Sequence, residues 1–114
     1  MISNETIEMI KAFRDERDWS QFHNPKDLAI SISLEAAELL EVFQWSGADL
    51  DCAEKEAKIR EELADVLSYA ILLADRCGID MDEILCEKLA RNKEKYPADL
   101  CRGSSAKYTE LKGR

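Results

Sequence analysis

Four acidic side chains sit where an amphipathic surface would not put them. In "ISISLEAAELLEVFQW", residues 30–45, Glu35 and Glu38 lie three apart inside an otherwise apolar segment, and Glu41 follows. In "REELADVLSYAILLADR", residues 60–76, Glu62 and Asp65 repeat the spacing, and Tyr69 falls four residues later. Spacings of three and four stack side chains on one helical face. Each pair therefore shares a stripe flanked by apolar arcs: Ala29, Ile32, Ala36, Leu39 and Phe43 on one side of helix two, Ile30, Leu34 and Ala37 on the other. Both flanks read as core-facing, which places Glu35 and Glu38 at least partly inside and leaves Glu41 in water.

Burying unpaired carboxylates is costly, and clustering them raises their pKa values unless a cation keeps them ionised. Antiparallel packing of the two segments would bring all four acids together. Oxygen-only ligation suits Mg²⁺, with Mn²⁺ or Ca²⁺ as substitutes, and Mg²⁺ keeps room for phosphate ligands. Di-iron bundles place a His three residues after a Glu, and no Glu here has that partner, so a redox metal is disfavoured. The competing reading is that each pair is an exposed decoration of an amphipathic helix.

Helices must position these groups. The first is expected from Ser3 or Asn4 to about Asp18, with Ile7, Ile10 and Phe13 on one face. Asn24 with Pro25 and Asp27 opens a second, which is expected to run to "WSG" with Gly47 as its C-terminal cap and Trp45 on the Glu38 stripe. Asp51 and Glu54 form a capping-box pattern for a third helix ending at Cys77 before Gly78. Asp80 and Glu83 repeat the box for a fourth, stopped by "YP". Residues 97–114 form a Gly- and Ser-containing tail. The fold class is all-α, a four-helix bundle in a single domain spanning 1–114.

The totals agree with that class. The 114 residues are 46% hydrophobic and 35% charged, with four Gly and two Pro, a composition for a compact helical protein. The net charge of −8 repels DNA, RNA and anionic membranes. It is uneven: residues 88–114 hold eight Lys and Arg against three Asp and Glu, and residues 1–87 hold eight against twenty-one. Cys52, Cys77, Cys86 and Cys101 form no Cys-x-x-Cys pair and His23 is the sole histidine, so a zinc site is not expected. With no long apolar run and no signal-like N-terminus, the expectation is a cytoplasmic protein with reduced thiols. A chain this short, with two apolar faces on its central helices, has surface left to bury in a homo-oligomer.

"LEAAELLEVFQW" joined to "EELADVLSYAILLADRCGID" resembles the MazG-like all-α nucleoside triphosphate pyrophosphohydrolases, marked by Glu-x-x-Glu followed by Glu-x-x-Asp. "ERDWSQFHNPKDLA", "ARNKEKYP" and "SSAKYTEL" are similar to the dCTP pyrophosphatase branch, and the match runs from about residue 5 to 112. The resemblance implies a MazG-like bundle assembled as a homotetramer, a dimer of dimers. It implies that Glu35, Glu38, Glu62 and Asp65 bind Mg²⁺ and carry catalysis, and that Trp19, His23, Trp45 and Tyr69 line the nucleotide pocket. Lys88 and Asn92 match polar contacts there, and Arg102, Lys107 and Tyr108 belong to a tail closing over phosphates. One departure concerns specificity: Ile10 stands where animal members of that branch carry a histidine, which removes a hydrogen-bonding group and opens the way to broader dNTP use.

The implied activity is Mg²⁺-dependent hydrolysis of dCTP or several dNTPs to monophosphate and pyrophosphate. A non-catalytic helical oligomerisation module, and a relative acting on phosphoribosyl-ATP or a damaged nucleotide, are the competing readings.

Overall fold

The computed structural model describes residues 2–105 and 109, and among these every regular element is helical. Helix α1 spans Asn4–Glu16 and starts at Ser3, whose hydroxyl accepts the Thr6 N–H. A 3-10 turn, Trp19–Phe22, leads to α2, Pro25–Glu41. There the Asn24 side chain accepts the Asp27 N–H with Pro25 in the first turn, as the sequence leads one to expect. Helix α3 spans Glu56–Cys77 and closes on Gly78, whose φ of +66° suits a residue without Cβ. The Ile79 N–H reaches back to the Ala74 carbonyl at 2.8 Å.

The chain divides at Ile79/Asp80 into two compact units. The second holds α4, Met81–Lys95, capped by Asp80 through the Glu83 N–H and ended before Pro97. A four-residue helix α5, Ala98–Cys101, follows inside what sequence reads as plain tail.

Two boundaries differ from expectation. Helix α2 ends at Glu41, not at Gly47. From Val42 to Gln44 the backbone bonds run to the third residue back, the tighter 3-10 pattern, and at Trp45 φ turns to +64°. Helix α3 starts at Glu56, behind a 3-10 turn at Ala53–Lys55, and its start carries no side-chain cap. In the loop before it Asp49, rather than Asp51, holds the backbone, accepting the Cys52 N–H on Oδ1 while the Cys52 thiol donates to the Asp49 carbonyl.

Helices α2 and α3 form the main packing pair. Lys55 Nζ donates to the Val42 carbonyl at 2.8 Å near one end, and further along Glu38 meets Glu62, so the two helices run antiparallel. The buried core is small: Leu28, Val42, Cys52, Ile71, Leu72 and Ala74. Leu28 and Val42 belong to the same stripe as Glu35 and Glu38, so that stripe is the face turned toward α3. Both apolar flanks were expected to be core-facing; in the single chain Ile32, Leu39 and Phe43 of one are half-buried, while Ile30 and Leu34 of the other are exposed, as are Leu40 on α2 and Leu63 and Leu67 on α3. One chain supplies α2 with one principal helical neighbour, which covers one face only.

Candidate functional site

The antiparallel pair brings Glu35, Glu38, Glu62 and Asp65 together, each offering a carboxylate oxygen within 4.8 Å of the others. Glu62 is only 6% exposed. Its Oε1 accepts from Lys58 Nζ at 3.0 Å, one turn back on α3. That ammonium holds the Glu62 carboxyl below its usual range, against the opposing effect of burial. Glu38 goes the other way: the adjacent Glu35 carboxylate, and Glu62 behind it, push its pKa up to about 7. Like charges gathered in one place disfavour their joint ionisation.

Two further oxygens, Glu35 Oε2 and Glu62 Oε2, are buried without a hydrogen-bond partner. Buried carboxylate oxygens normally find donors, so unpartnered ones in a ring of acids fit a cation rather than a hydrogen-bond network. The residues present thus form a donor set able to hold a metal ion.

Asp65 also borders a pocket of about 430 Å³ lined by Trp19, His23, Tyr69, Ser68 and Leu72, with Thr6, Met9, Ile10, Phe13 and Arg14 from α1. Trp19 meets Phe13 edge to face, with centroids 5.6 Å apart, and His23 approaches the Tyr69 ring at 6.5 Å. Burial, and the nearby Arg14 charge, lower the His23 pKa, while its Nδ1 has no partner. A neutral imidazole with a free ring nitrogen beside aromatic faces is equipped to take a heterocyclic base. Arg14 is buried and already committed: its guanidinium donates to Asp15 at 2.8 Å and to Asp75 at 2.7 Å.

Trp19, His23 and Tyr69 therefore share one pocket, next to the acids. Trp45 does not join them: it is 92% exposed and absent from that lining, because α2 ends four residues before it. Lys88 and Asn92 share a face of α4 in the second unit, and Arg102 follows α5. Lys107 and Tyr108 lie outside the described residues. Sequence reasoning passed over Arg14, whose partner Asp75 is 61 positions away. It also passed over Lys58, although the spacing of four to Glu62 was a readable signal.

The helical pair, the acid cluster and the pocket define a protein class that the comparisons identify. The MazG-like family profile matches residues 30–111, and the chain belongs to that family. It is 43% identical over 104 residues to dCTP pyrophosphatase 1 of Homo sapiens and 41% to that of Mus musculus, covering 87% of this chain and 61% of each relative. The Bos taurus protein is 39% identical over 118 residues, covering 96% of this chain and 70% of the relative. The chain thus spans about three-fifths of the human and mouse proteins. A crystal structure of a pyrophosphatase from Archaeoglobus fulgidus aligns with a TM-score of 0.77 at 40% identity, covering 82% of this chain and 90% of that one.

Proposed function

We propose that this chain is a Mg²⁺-dependent pyrophosphohydrolase that cleaves dCTP or several dNTPs between the α and β phosphates. The observation that carries the reading is the shared Asp65, which joins a carboxylate cluster to an aromatic pocket. One end suits metal-bound phosphates and the other a base. The names of the relatives, dCTP pyrophosphatase 1 and a pyrophosphatase, support the same chemistry.

Glu35, Glu38, Glu62 and Asp65 would hold the ions. Divalent cations held there would neutralise phosphate charge and make water easier to deprotonate. The protein's part is to hold the α phosphorus in line for attack by water. Glu38, at the centre of the acid cluster, is the residue to orient the attacking water or accept its proton. Trp19, His23 and Tyr69 clamp the base, and burial of His23 keeps its ring neutral for hydrogen bonding. Lys88, Asn92, Arg102, Lys107 and Tyr108 add polar and phosphate contacts, and Trp45 completes the substrate set.

The exposed apolar flanks of α2 and α3 support assembly as a homotetramer, with residues 1–114 acting as one MazG-like domain in the cytoplasm. Ile10 in the pocket wall supports use of several dNTPs, since an aliphatic group supplies no hydrogen bond to single out cytosine. The test is a Mg²⁺-dependent pyrophosphate-release screen across the dNTPs. Release from dCTP or several dNTPs is expected, and none from any nucleotide refutes the reading.

A further inference from the structure

The acid cluster has a second opening. On the side away from Asp65, Glu38 and Glu62 line an open pocket of about 650 Å³ together with Glu41, Val42, Lys55 and Lys58. The cluster therefore stands between two spaces, the aromatic pocket reached through Asp65 and a lysine-bearing pocket reached through Glu38 and Glu62.

The cations lining these spaces are not equivalent. Arg14 is held by Asp15 and Asp75, and Lys55 is tied to the Val42 carbonyl. Lys58 is held by carboxylates alone, Glu62 at 3.0 Å and Glu61 at 3.6 Å, and its side chain is 57% exposed. It is the cation free to change partners. Its partner Glu62 is one of the four acids, so an ion bound there competes for the oxygen Lys58 now uses. Once Glu38 and Glu62 are engaged, Glu41 is the remaining acid in that lining against two lysines.

We propose that Lys58 binds the outgoing pyrophosphate end of the substrate, pairing with Glu62 at rest and transferring to the β and γ phosphates when Glu62 takes up metal. The proposal rests on the pyrophosphohydrolase reading, with the base in the aromatic pocket and the α phosphate at the acids. A nucleotide so placed directs its remaining phosphates toward the lysine pocket. Lys58 is then a binding residue for the leaving group, neutralising the charge that develops on it when the bond to the α phosphorus breaks.

The test measures affinities for inorganic pyrophosphate and for dCMP, each at saturating Mg²⁺, by calorimetry on the full chain, wild type against Lys58→Gln and Lys58→Arg. Loss of one charge-assisted hydrogen bond is expected to weaken pyrophosphate ~10-fold in Lys58→Gln and to leave dCMP within about 2-fold, with Lys58→Arg near wild type. Unchanged pyrophosphate affinity in a folded Lys58→Gln overturns the proposal. So does an equal loss for both ligands, which would mean that Lys58 acts only through the acids. If Lys58→Gln does not fold, Lys58→Met takes its place under the same criteria. Failure of the parent reading has a separate signature, wild-type protein that releases no pyrophosphate from any dNTP.

Discussion

Arg14 Nη1 donates to Asp75 Oδ2 at 2.7 Å, tying α1 to α3 directly behind the aromatic pocket. Lys11 reaches the other oxygen of Asp75 at 3.2 Å. The Arg14 guanidinium, and Lys11 after it, hold the Asp75 carboxyl below its usual range. A depressed native pKa contributes stability that is complete above the unfolded value and lost as pH falls through the folded one. Asp75→Asn is therefore expected to melt roughly 5 °C below wild type at neutral pH. That gap should close below about pH 4, where wild type also protonates. Melting curves from pH 2 to 7 check this, and a gap constant across the range contradicts it.

The acid cluster predicts opposite responses to charge removal with and without metal. In EDTA, Glu38→Gln is expected to melt above wild type, because it relieves repulsion from Glu35 and Glu62. Adding Mg²⁺ should raise the melting temperature of wild type but not of Glu38→Gln, since ligands that bind the native state stabilise it. Hydrolysis should vanish on chelation and in either Glu38→Gln or Asp65→Asn.

Trp19 and Trp45 separate by exposure. Trp19→Ala removes an aromatic wall and should weaken nucleotide binding by roughly 10- to 100-fold, the worth of one stacked base. Trp45→Ala, at a site 92% exposed, should change folding stability by less than about 0.5 kcal/mol. Nucleotide affinity should nevertheless fall in Trp45→Ala, because Trp45 belongs to the proposed substrate set, and unchanged affinity removes it from that set. Fluorescence titration with a non-hydrolysable dNTP reads both.

The apolar flanks give a mass prediction. Leu34 is 61% exposed and Leu40 71% exposed in the single chain, and a charge there should oppose self-association. Light scattering is expected to give a tetramer for wild type and a smaller species for Leu34→Glu. A wild-type mass near 13 kDa would refute the assembly.

Much of this was local and therefore readable. The caps at Ser3, Asn24 and Asp80 and the stop at Gly78 follow from side chains and φ preferences within four residues. Periodicity put Glu35 with Glu38, and Glu62 with Asp65, on single faces. The end of α2 was less legible, because nothing local marks Val42 as the point where the bonds tighten. The capping pattern at Asp51 and Glu54 was equally misleading: α3 starts without a side-chain cap, and Asp49 holds the loop before it.

The sequence by itself determined the helices, the two acid pairs and the resemblance that joins them. Tertiary structure alone decided how closely the two acid pairs meet and how deeply each acid is buried. Glu38 is driven toward protonation and Glu62 away from it, though both occupy the same kind of stripe. The difference lies in their neighbours in space: Glu38 faces carboxylates, while Glu62 has Lys58 on its exposed side. Packing likewise turned the acid-bearing stripe of α2 inward and left the Ile30 and Leu34 flank exposed. The Glu35–Glu38 and Lys58–Glu62 pairs lie within single helices and are set by spacing, whereas the approach of Glu38 to Glu62, the burial of Glu62 and the exposed flank depend on the packing of segments distant in sequence, which periodicity does not encode.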